Sequence, residues 1–309
     1  MKIGFIGLGN MGSHIAYNIL QAGYELVVHD LRQGAATGHM EAGATWADTP
    51  QQVAQLSQVL FTSLPGPTEF EATVLGEQGI LAGMTKSKVL FDLSTNSPTL
   101  VRRVHQTFAA KGIHMLDAPV SGGPEGARTG RLAIWVGGEK PVFDRYQYLL
   151  ESFSDAPYYV GPIGSGSVAK LVHNCTGYIL QTGLAEVFTM GVKAGVEPLA
   201  LWEAVRRGIS GRRGAFEGLA EHLLPGRFDP PAFALKLARK DVDLAVALGR
   251  ELDVPMRLAT LTLQEMTEAI NRGWGDRDSR SAMLLQEERA GVQVRVPEDL
   301  LREVLGREV

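Results

Sequence analysis

Lys2-Ile3-Gly4-Phe5-Ile6-Gly7-Leu8-Gly9-Asn10-Met11-Gly12-Ser13 is the stretch that decides the fold. Its apolar start reads as a strand, and the glycines after it fit G-x-G-x-x-G. From 12 to 22 the pattern is helical and stops at Gly23. The three glycines have separate tasks. The first permits a tight turn, the second lets backbone approach a pyrophosphate, and the third lets helix and strand pack closely. Free N–H groups and the positive dipole end of the helix then favour an anion. The glycine pattern alone is weak, because glycine is common. Strand, loop and helix arriving in that order make it specific.

Working outward, a second strand at 25–29 ends at Asp30. An acidic side chain about 20 residues beyond the glycines accepts hydrogen bonds from both ribose hydroxyls and repels a 2′-phosphate. The expectation is therefore NAD rather than NADP, with Arg32 softening the choice. The plainer role for Asp30 is a turn cap. Further apolar runs at 59–63, 88–92, 114–117, 132–136 and 158–160 read as strands. Thr49-Pro50 and Ser97-Pro98 read as helix starts, a cap followed by proline at the first helical position. Strand–helix alternation of this kind predicts an α/β domain with a mostly parallel, doubly wound sheet over residues 1–162.

Beyond Pro162 the pattern changes. Apolar residues at 168, 171, 172, 175 and 179 predict one long helix of about 30 residues, or about 45 Å. After it only helical patterns follow, at 198–207, 214–222, 234–252 and 255–272. The reading is an all-helical domain over 163–293, joined to the first by the long helix, and a charged C-terminal extension over 294–309 with a helix start at Pro297-Glu298-Asp299.

Composition narrows the function classes. The net charge of −4 speaks against holding nucleic acid by phosphate neutralisation. One cysteine, Cys175, allows no internal disulfide and no cysteine-cluster metal site. The seven histidines fit no metal-ligand spacing, and His173, on the shoulder of the long helix, reads as packing or as a support behind the site residues. No apolar run is long enough to cross a membrane. The start of the chain reads as the first strand rather than a secretory signal, which makes a cytoplasmic protein the expectation.

Two further stretches carry chemistry. Asp117-Ala118-Pro119-Val120-Ser121-Gly122-Gly123 lies at the carboxyl end of a strand, the edge where open parallel sheets bind ligands. Ser121 with the amides of Gly122 and Gly123 forms a compact cradle suited to a carboxylate. The alternative is a plain turn. In Gly164-Ser165-Gly166-Ser167-Val168-Ala169-Lys170-Leu171-Val172-His173-Asn174, Lys170 and Asn174 share one helix face. Gly166 and Gly177 lie on the same face and leave room there for a ligand. If that face is covered, the lysine pKa falls and its ammonium can exchange a proton with a substrate oxygen. If it is open, the lysine is an ordinary solvated one. Lys240, in Leu237-Ala238-Arg239-Lys240-Asp241-Val242, reads either as a lysine that reaches the cofactor from the helical domain or as an ordinary surface lysine.

Taken together these stretches resemble the 3-hydroxyisobutyrate dehydrogenase family, the β-hydroxyacid dehydrogenases, over about residues 1–280. Leu64-Pro65 and Ser94-Thr95 resemble its cofactor-contact loops, and Lys240-Asp241 its lysine–aspartate pair. The resemblance implies a Rossmann domain followed by an all-helical domain. It also implies hydride transfer between NAD(P) and a small 3-hydroxy acid or its semialdehyde. On it, Lys170 is the general acid/base and Asn174 orients the substrate. Ser121, Gly122 and Gly123 hold the carboxylate. Gly7, Leu8, Gly9, Asn10, Met11, Gly12, Asp30, Leu64, Pro65, Thr95 and Lys240 contact the dinucleotide. A homodimer or homotetramer is implied as well.

The chain departs from the family at Glu69, where a neutral polar residue is common, so Glu69 stays outside the contact set. It departs again at the paired Arg212 and Arg213, which suggest a second anionic group on the substrate. About 30 residues follow the family's usual ending near Asp276-Arg277-Asp278-Ser279, and this extension suits a docking tail. Two alternatives keep the fold but change the function, an imine reductase and a non-catalytic dinucleotide-binding protein. The presence of Lys170 and of the substrate cradle speaks against both.

Overall fold

A computed structural model describes residues 1–212, 219–291 and 293–305. The chain divides into two units, Met1–Thr176 and Gly177–Val309.

In the first unit, strands β1 (Lys2–Ile6), β2 (Glu25–His29), β3 (Thr45–Trp46), β4 (Val59–Thr62), β5 (Val89–Asp92) and β6 (His114–Asp117) pair in parallel, in the order β3-β2-β1-β4-β5-β6. Two more strands, β7 (Val120–Ser121) and β8 (Leu132–Gly137), add antiparallel pairings, and β9 (Ser154–Gly161) pairs in parallel with β8. The order reverses between β1 and β4, so the loops after these strands diverge and leave a crevice at their carboxyl ends.

Register explains how the sheet is filled. Phe5 on β1 pairs with Phe61 on β4, and Phe61 with Phe91 on β5. Their rings stack across the strands, at 6.2 and 5.4 Å between centroids. On that face the sheet packs against α1 (Gly12–Gln21), through Ile15 and Ile19, and against Tyr146 and Leu150 of a later helix. The opposite face buries Ile6, Val27, Leu60, Leu90 and Met115 against Val53, Phe70, Val101, Val104 and Phe108. Apolar side chains on both faces of the central strands are what a doubly covered parallel sheet requires.

The predicted elements differ from the observed ones in instructive places. The run at 158–160 belongs to a strand that starts at Ser154. Asp155 and Pro157 hide its first half from an apolar-run reading, and a position with one hydrogen-bonded neighbour strand tolerates a proline. The two-residue strands β3 and β7 were not anticipated, because two residues show no period.

The 29-residue helix α2 (Ser165–Lys193) meets the expectation of one long helix. In the second unit it is followed by Pro198–Arg206, Ile209–Arg212, Leu235–Glu251, Arg257–Ala269, Leu284–Ala290 and Glu298–Leu305. The carboxylate of Glu186 accepts from the amides of Leu258 and Ala259 at 2.8 and 3.2 Å, capping the helix Arg257–Ala269. Of the expected helix at 214–222, residues 214–218 lie outside the described residues, and Leu219–Leu223 forms a wide π-helical turn. The expected helix at 255–272 runs as Arg257–Ala269 and then widens in the same way over Ile270–Trp274.

The C-terminal extension folds back on its own unit. Val296 donates to Leu224 O at 2.9 Å, Arg295 pairs with the buried Glu287 at 2.7 Å, and Arg227 pairs with Glu298. Among the described residues no helix is long and apolar enough to cross a membrane, and no group of three or more His, Cys, Asp or Glu is placed to hold a metal.

Candidate active site

The glycine turn after β1 is built by close backbone approach. Gly7 has φ +96°, and a Cβ there would sit 2.3 Å from Ser63 O. A Cβ on Gly12 would sit 1.9 Å from Gly7 O. Both positions therefore need glycine for the chain's own packing. Gly9 differs, because a Cβ there would meet nothing within 4 Å. The space above Gly9 is open, as a phosphate cradle requires.

That turn forms one wall of a cleft of about 930 Å³ at the carboxyl ends of the strands. Of the predicted dinucleotide contacts, Gly7, Gly9, Asn10, Met11, Gly12, Asp30, Leu64 and Pro65 line it. Leu8 is buried, and its amide donates to Asp30 Oδ2 at 2.8 Å. The other oxygen, Asp30 Oδ1, accepts from Arg32 N at 2.9 Å. Asp30 thus acts as a turn cap, and it also lines the cleft. Thr95 is exposed on the loop after β5 and does not line the cleft. The backbone of Lys240 belongs to the helix Leu235–Glu251, and its side chain lies outside the described residues. Glu69, left out of the contact set, lines the cleft together with Thr73 and Gln78. The substitution of a charged for a neutral residue had argued against it.

A buried carboxylate organises the loops after β4 and β5. Asp92 accepts from Thr62 Oγ1 at 2.9 Å, Ser94 N at 3.1 Å and Asn96 Nδ2 at 2.6 Å. Ser94 Oγ in turn accepts from Leu64 N at 2.9 Å. Burial pushes the Asp92 carboxyl up to about 6, against the opposing pull of hydrogen bonds from Ser94, Asn96 and Thr62.

The second cluster surrounds the start of α2. Asp117, fully buried at the end of β6, accepts from Gly164 N at 2.7 Å, Ser167 N at 2.6 Å and Ser167 Oγ at 2.8 Å. These bonds satisfy amides that the first turn of a helix leaves without partners. Gly166 allows the helix to rest on sheet backbone, since a Cβ there would lie 2.2 Å from Trp135 O. The expectation that Gly166 leaves room for a ligand is therefore corrected, because the sheet fills that room. A Cβ at Gly177 meets nothing.

One turn further on, Lys170 is half-buried, with Nζ 5.9 Å from the centre of the Trp135 ring. Burial holds its ammonium below the ordinary lysine range. Asn174 is partly buried on the same helix face. His173 packs its ring on Trp135, 5.0 Å between centroids, and its Nε2 lies 3.1 Å from Ser121 Oγ. Lys170 and His173 thus share one indole, and His173 connects it to Ser121. Gly122 and Gly123 follow Ser121, both exposed and with positive φ of 133° and 63°. The apolar stripe on α2 is in the open. Val172 and Ile179 are 57% and 56% exposed, while Lys170 is turned inward. Arg212 and Arg213 carry the second-anion expectation, and their side chains lie outside the described residues.

Residues 2–161 match the model described as the NAD binding domain of 6-phosphogluconate dehydrogenase. Residues 164–286 match the model described as NAD-binding of NADP-dependent 3-hydroxyisobutyrate dehydrogenase. The chain is 34% identical to the 2-(hydroxymethyl)glutarate dehydrogenase of Eubacterium barkeri, over 95% of this chain and 97% of that one. It is 35% identical to the NAD-dependent L-serine dehydrogenase of Pseudomonas aeruginosa, over 90% and 95%. An imine reductase from Myxococcus stipitatus shares the fold, with TM-score 0.79 at 19% identity over 91% and 98%.

Proposed function

We propose a reaction for this chain from its lineage, for it belongs to the 3-hydroxyisobutyrate dehydrogenase family of NAD(P)-dependent oxidoreductases acting on hydroxy acids. The reaction is reversible oxidation of a small 3-hydroxy acid to its semialdehyde, with Lys170 as general acid/base. The observation that carries this reading is the half-buried Lys170, its pKa lowered by burial, on one helix face with Asn174 and beside the Trp135 ring against which His173, the neighbour of Ser121, also packs.

The cleft suits a dinucleotide. Gly9 leaves open the space a phosphate fills, and the amides of Gly9, Asn10 and Met11 precede the N-terminus of α1. Leu64 and Pro65 take the neighbouring wall, and Thr95 and Lys240 are assigned as contacts on family resemblance. A bound nicotinamide supplies the hydride acceptor or donor. Neutral Lys170 takes the proton from the substrate hydroxyl during oxidation, and its ammonium returns a proton to the carbonyl oxygen during reduction. Asn174 orients that oxygen. Ser121, Gly122 and Gly123 hold the carboxylate, which fixes the carbinol carbon in place. Asp30 and Glu69 put negative charge in the cleft, offset in part by Arg32 at 3.8 Å from Asp30, and this balance supports NAD over NADP. In the Arg212 and Arg213 pair we see the means of accepting a second carboxylate.

The exposed apolar stripe on α2 fits assembly as a homodimer or homotetramer. A single free cysteine fits a reducing cytoplasm.

The test is NADH formation with 3-hydroxyisobutyrate, L-serine and 2-(hydroxymethyl)glutarate. Lys170→Ala should lower kcat by roughly 10²–10⁴-fold. Activity near wild type in that variant sinks the assignment. The imine reductase alternative rests on fold alone, and reduction of a cyclic imine in preference to any hydroxy-acid turnover would favour it.

A further inference from the structure

We propose that His173 sets the direction of the Ser121 hydroxyl, donating through Nε2 to Ser121 Oγ so that the hydroxyl proton faces a substrate carboxylate. The inference rests on the reading of Ser121 as a carboxylate anchor and deepens it.

His173 Nε2 and Ser121 Oγ lie 3.1 Å apart, between α2 and β7, across 52 residues of sequence. A serine hydroxyl has one proton to give and lone pairs to receive with. Two arrangements share this distance. In the first, Ser121 donates to a bare Nε2, and only its lone pairs remain for a ligand. A carboxylate accepts and cannot donate, so this arrangement repels it. In the second, Nε2–H donates to Ser121 Oγ, and the hydroxyl proton is left for the carboxylate. Binding of an acid therefore selects the form of His173 that carries its proton on Nε2.

Two further observations fix the imidazole in this role. Its ring packs on Trp135 at 5.0 Å with a tilt of 48°, which restricts its rotation. The same indole lies beneath the Lys170 ammonium at 5.9 Å. His173 and Lys170 are three residues apart and so emerge on neighbouring sides of one helix face. Trp135 thus lies against both the group that moves the proton and the group that aims the anchor. His173 acts through Ser121, so it is a positioning residue.

The test compares His173→Leu, His173→Gln, Ser121→Ala and the double variant Ser121→Ala/His173→Leu, all full-length. The probes are the best acid substrate among 3-hydroxyisobutyrate, L-serine and 2-(hydroxymethyl)glutarate, and its methyl ester at the anchored carboxyl. His173→Leu should raise KM for the acid about tenfold, equivalent to about 1.4 kcal/mol. The change in kcat should be smaller, and the ester should be far less affected. His173→Gln has an amide N–H but no charge, and should restore most of the loss. The double variant should be no worse than Ser121→Ala alone.

If Ser121→Ala raises KM for the acid while His173→Leu does not, the inference fails and the anchor stands. Failure of His173→Gln to rescue would make His173 a source of charge rather than direction, and also overturns it. If Ser121→Ala leaves KM for the acid unchanged, the anchor itself is lost and the inference with it.

Discussion

Asp117 and Ser167 are joined twice, with the amide and the hydroxyl of Ser167 both donating to Asp117 Oδ2, at 2.6 and 2.8 Å. The other oxygen takes the amide of Gly164 at 2.7 Å. One buried carboxylate at the end of β6 therefore fixes the start of α2, one turn before Lys170. The placement of the proposed acid/base follows from this cap.

Asp117→Ala leaves those donors buried without an acceptor. Loss of a cap costs about 0.5–2 kcal/mol, and each orphaned donor about 1–3 kcal/mol. A loss of roughly 3 kcal/mol is expected from urea unfolding, with kcat falling as Lys170 loses its fixed place. Asp117→Asn keeps one acceptor oxygen and should fall between. An unchanged unfolding midpoint in the alanine variant would remove the cap from the account.

Lys170 predicts a pH dependence of defined sign. Its pKa is lowered by burial, so its neutral form, the base, becomes populated at lower pH than for a free lysine. The rate of alcohol oxidation should rise with pH and level off below the ordinary lysine pKa of about 10.4. Carbonyl reduction needs the ammonium and should decline over the same range. Lys170→Ala should erase this limb in both directions. A limb that survives the substitution belongs to another group.

The two glycines at 9 and 12 should respond in opposite ways to the same added methyl. Gly12→Ala places a Cβ 1.9 Å from Gly7 O, and the fold itself should suffer. Gly9→Ala meets nothing in the chain. Its melting temperature should stay within about 1–2 °C, a shift that corresponds to about 1 kcal/mol. Its KM for NAD should rise severalfold or more. An unchanged KM would place the phosphates elsewhere.

Asp92 links stability to pH. Its carboxyl is pushed up to about 6 in the folded chain, against about 3.9 when unfolded. The folded state therefore holds the proton more tightly, and the contribution of this group to stability falls as pH rises from about 4 to about 6. The change is on the order of 2–3 kcal/mol. Asp92→Asn should flatten it. The buried Oδ1 of Asn96, which has no partner, is free to accept the new amide after Asn96 flips. Unfolding free energies measured at pH 4.5 and 7 for both proteins decide the matter, and parallel curves would refute the linkage.

Much of the first unit was legible because its strands are continuous apolar runs between clear turn signals. What escaped had no period to read. Two residues cannot alternate, so β3 and β7 were missed, and Pro157 disguised half of β9. Lys170 and Asn174 emerge from their shared face, but spacing leaves open whether that face is covered, and the structure half-buries it. Periodicity identifies an apolar stripe at 168, 171 and 172 without saying what covers it. His173 reads as packing or as a support behind the site, and its contact with Trp135 fits either. Its bond to Ser121 joins residues too distant in sequence for any spacing rule to register. Glu69 was set aside for its charge, although its position beside Pro65 already put it at the cleft.

The rest of Gly166 directly on the carbonyl of Trp135 has an evolutionary consequence. With no side chain at that junction, there is nothing to trim, enlarge or repack, and the seat of α2 is closed to gradual mutation. A lineage of such enzymes in search of new acids must leave the seat untouched and explore Ser121 and its neighbours instead. The lysine would stay in place while the preference around it drifts.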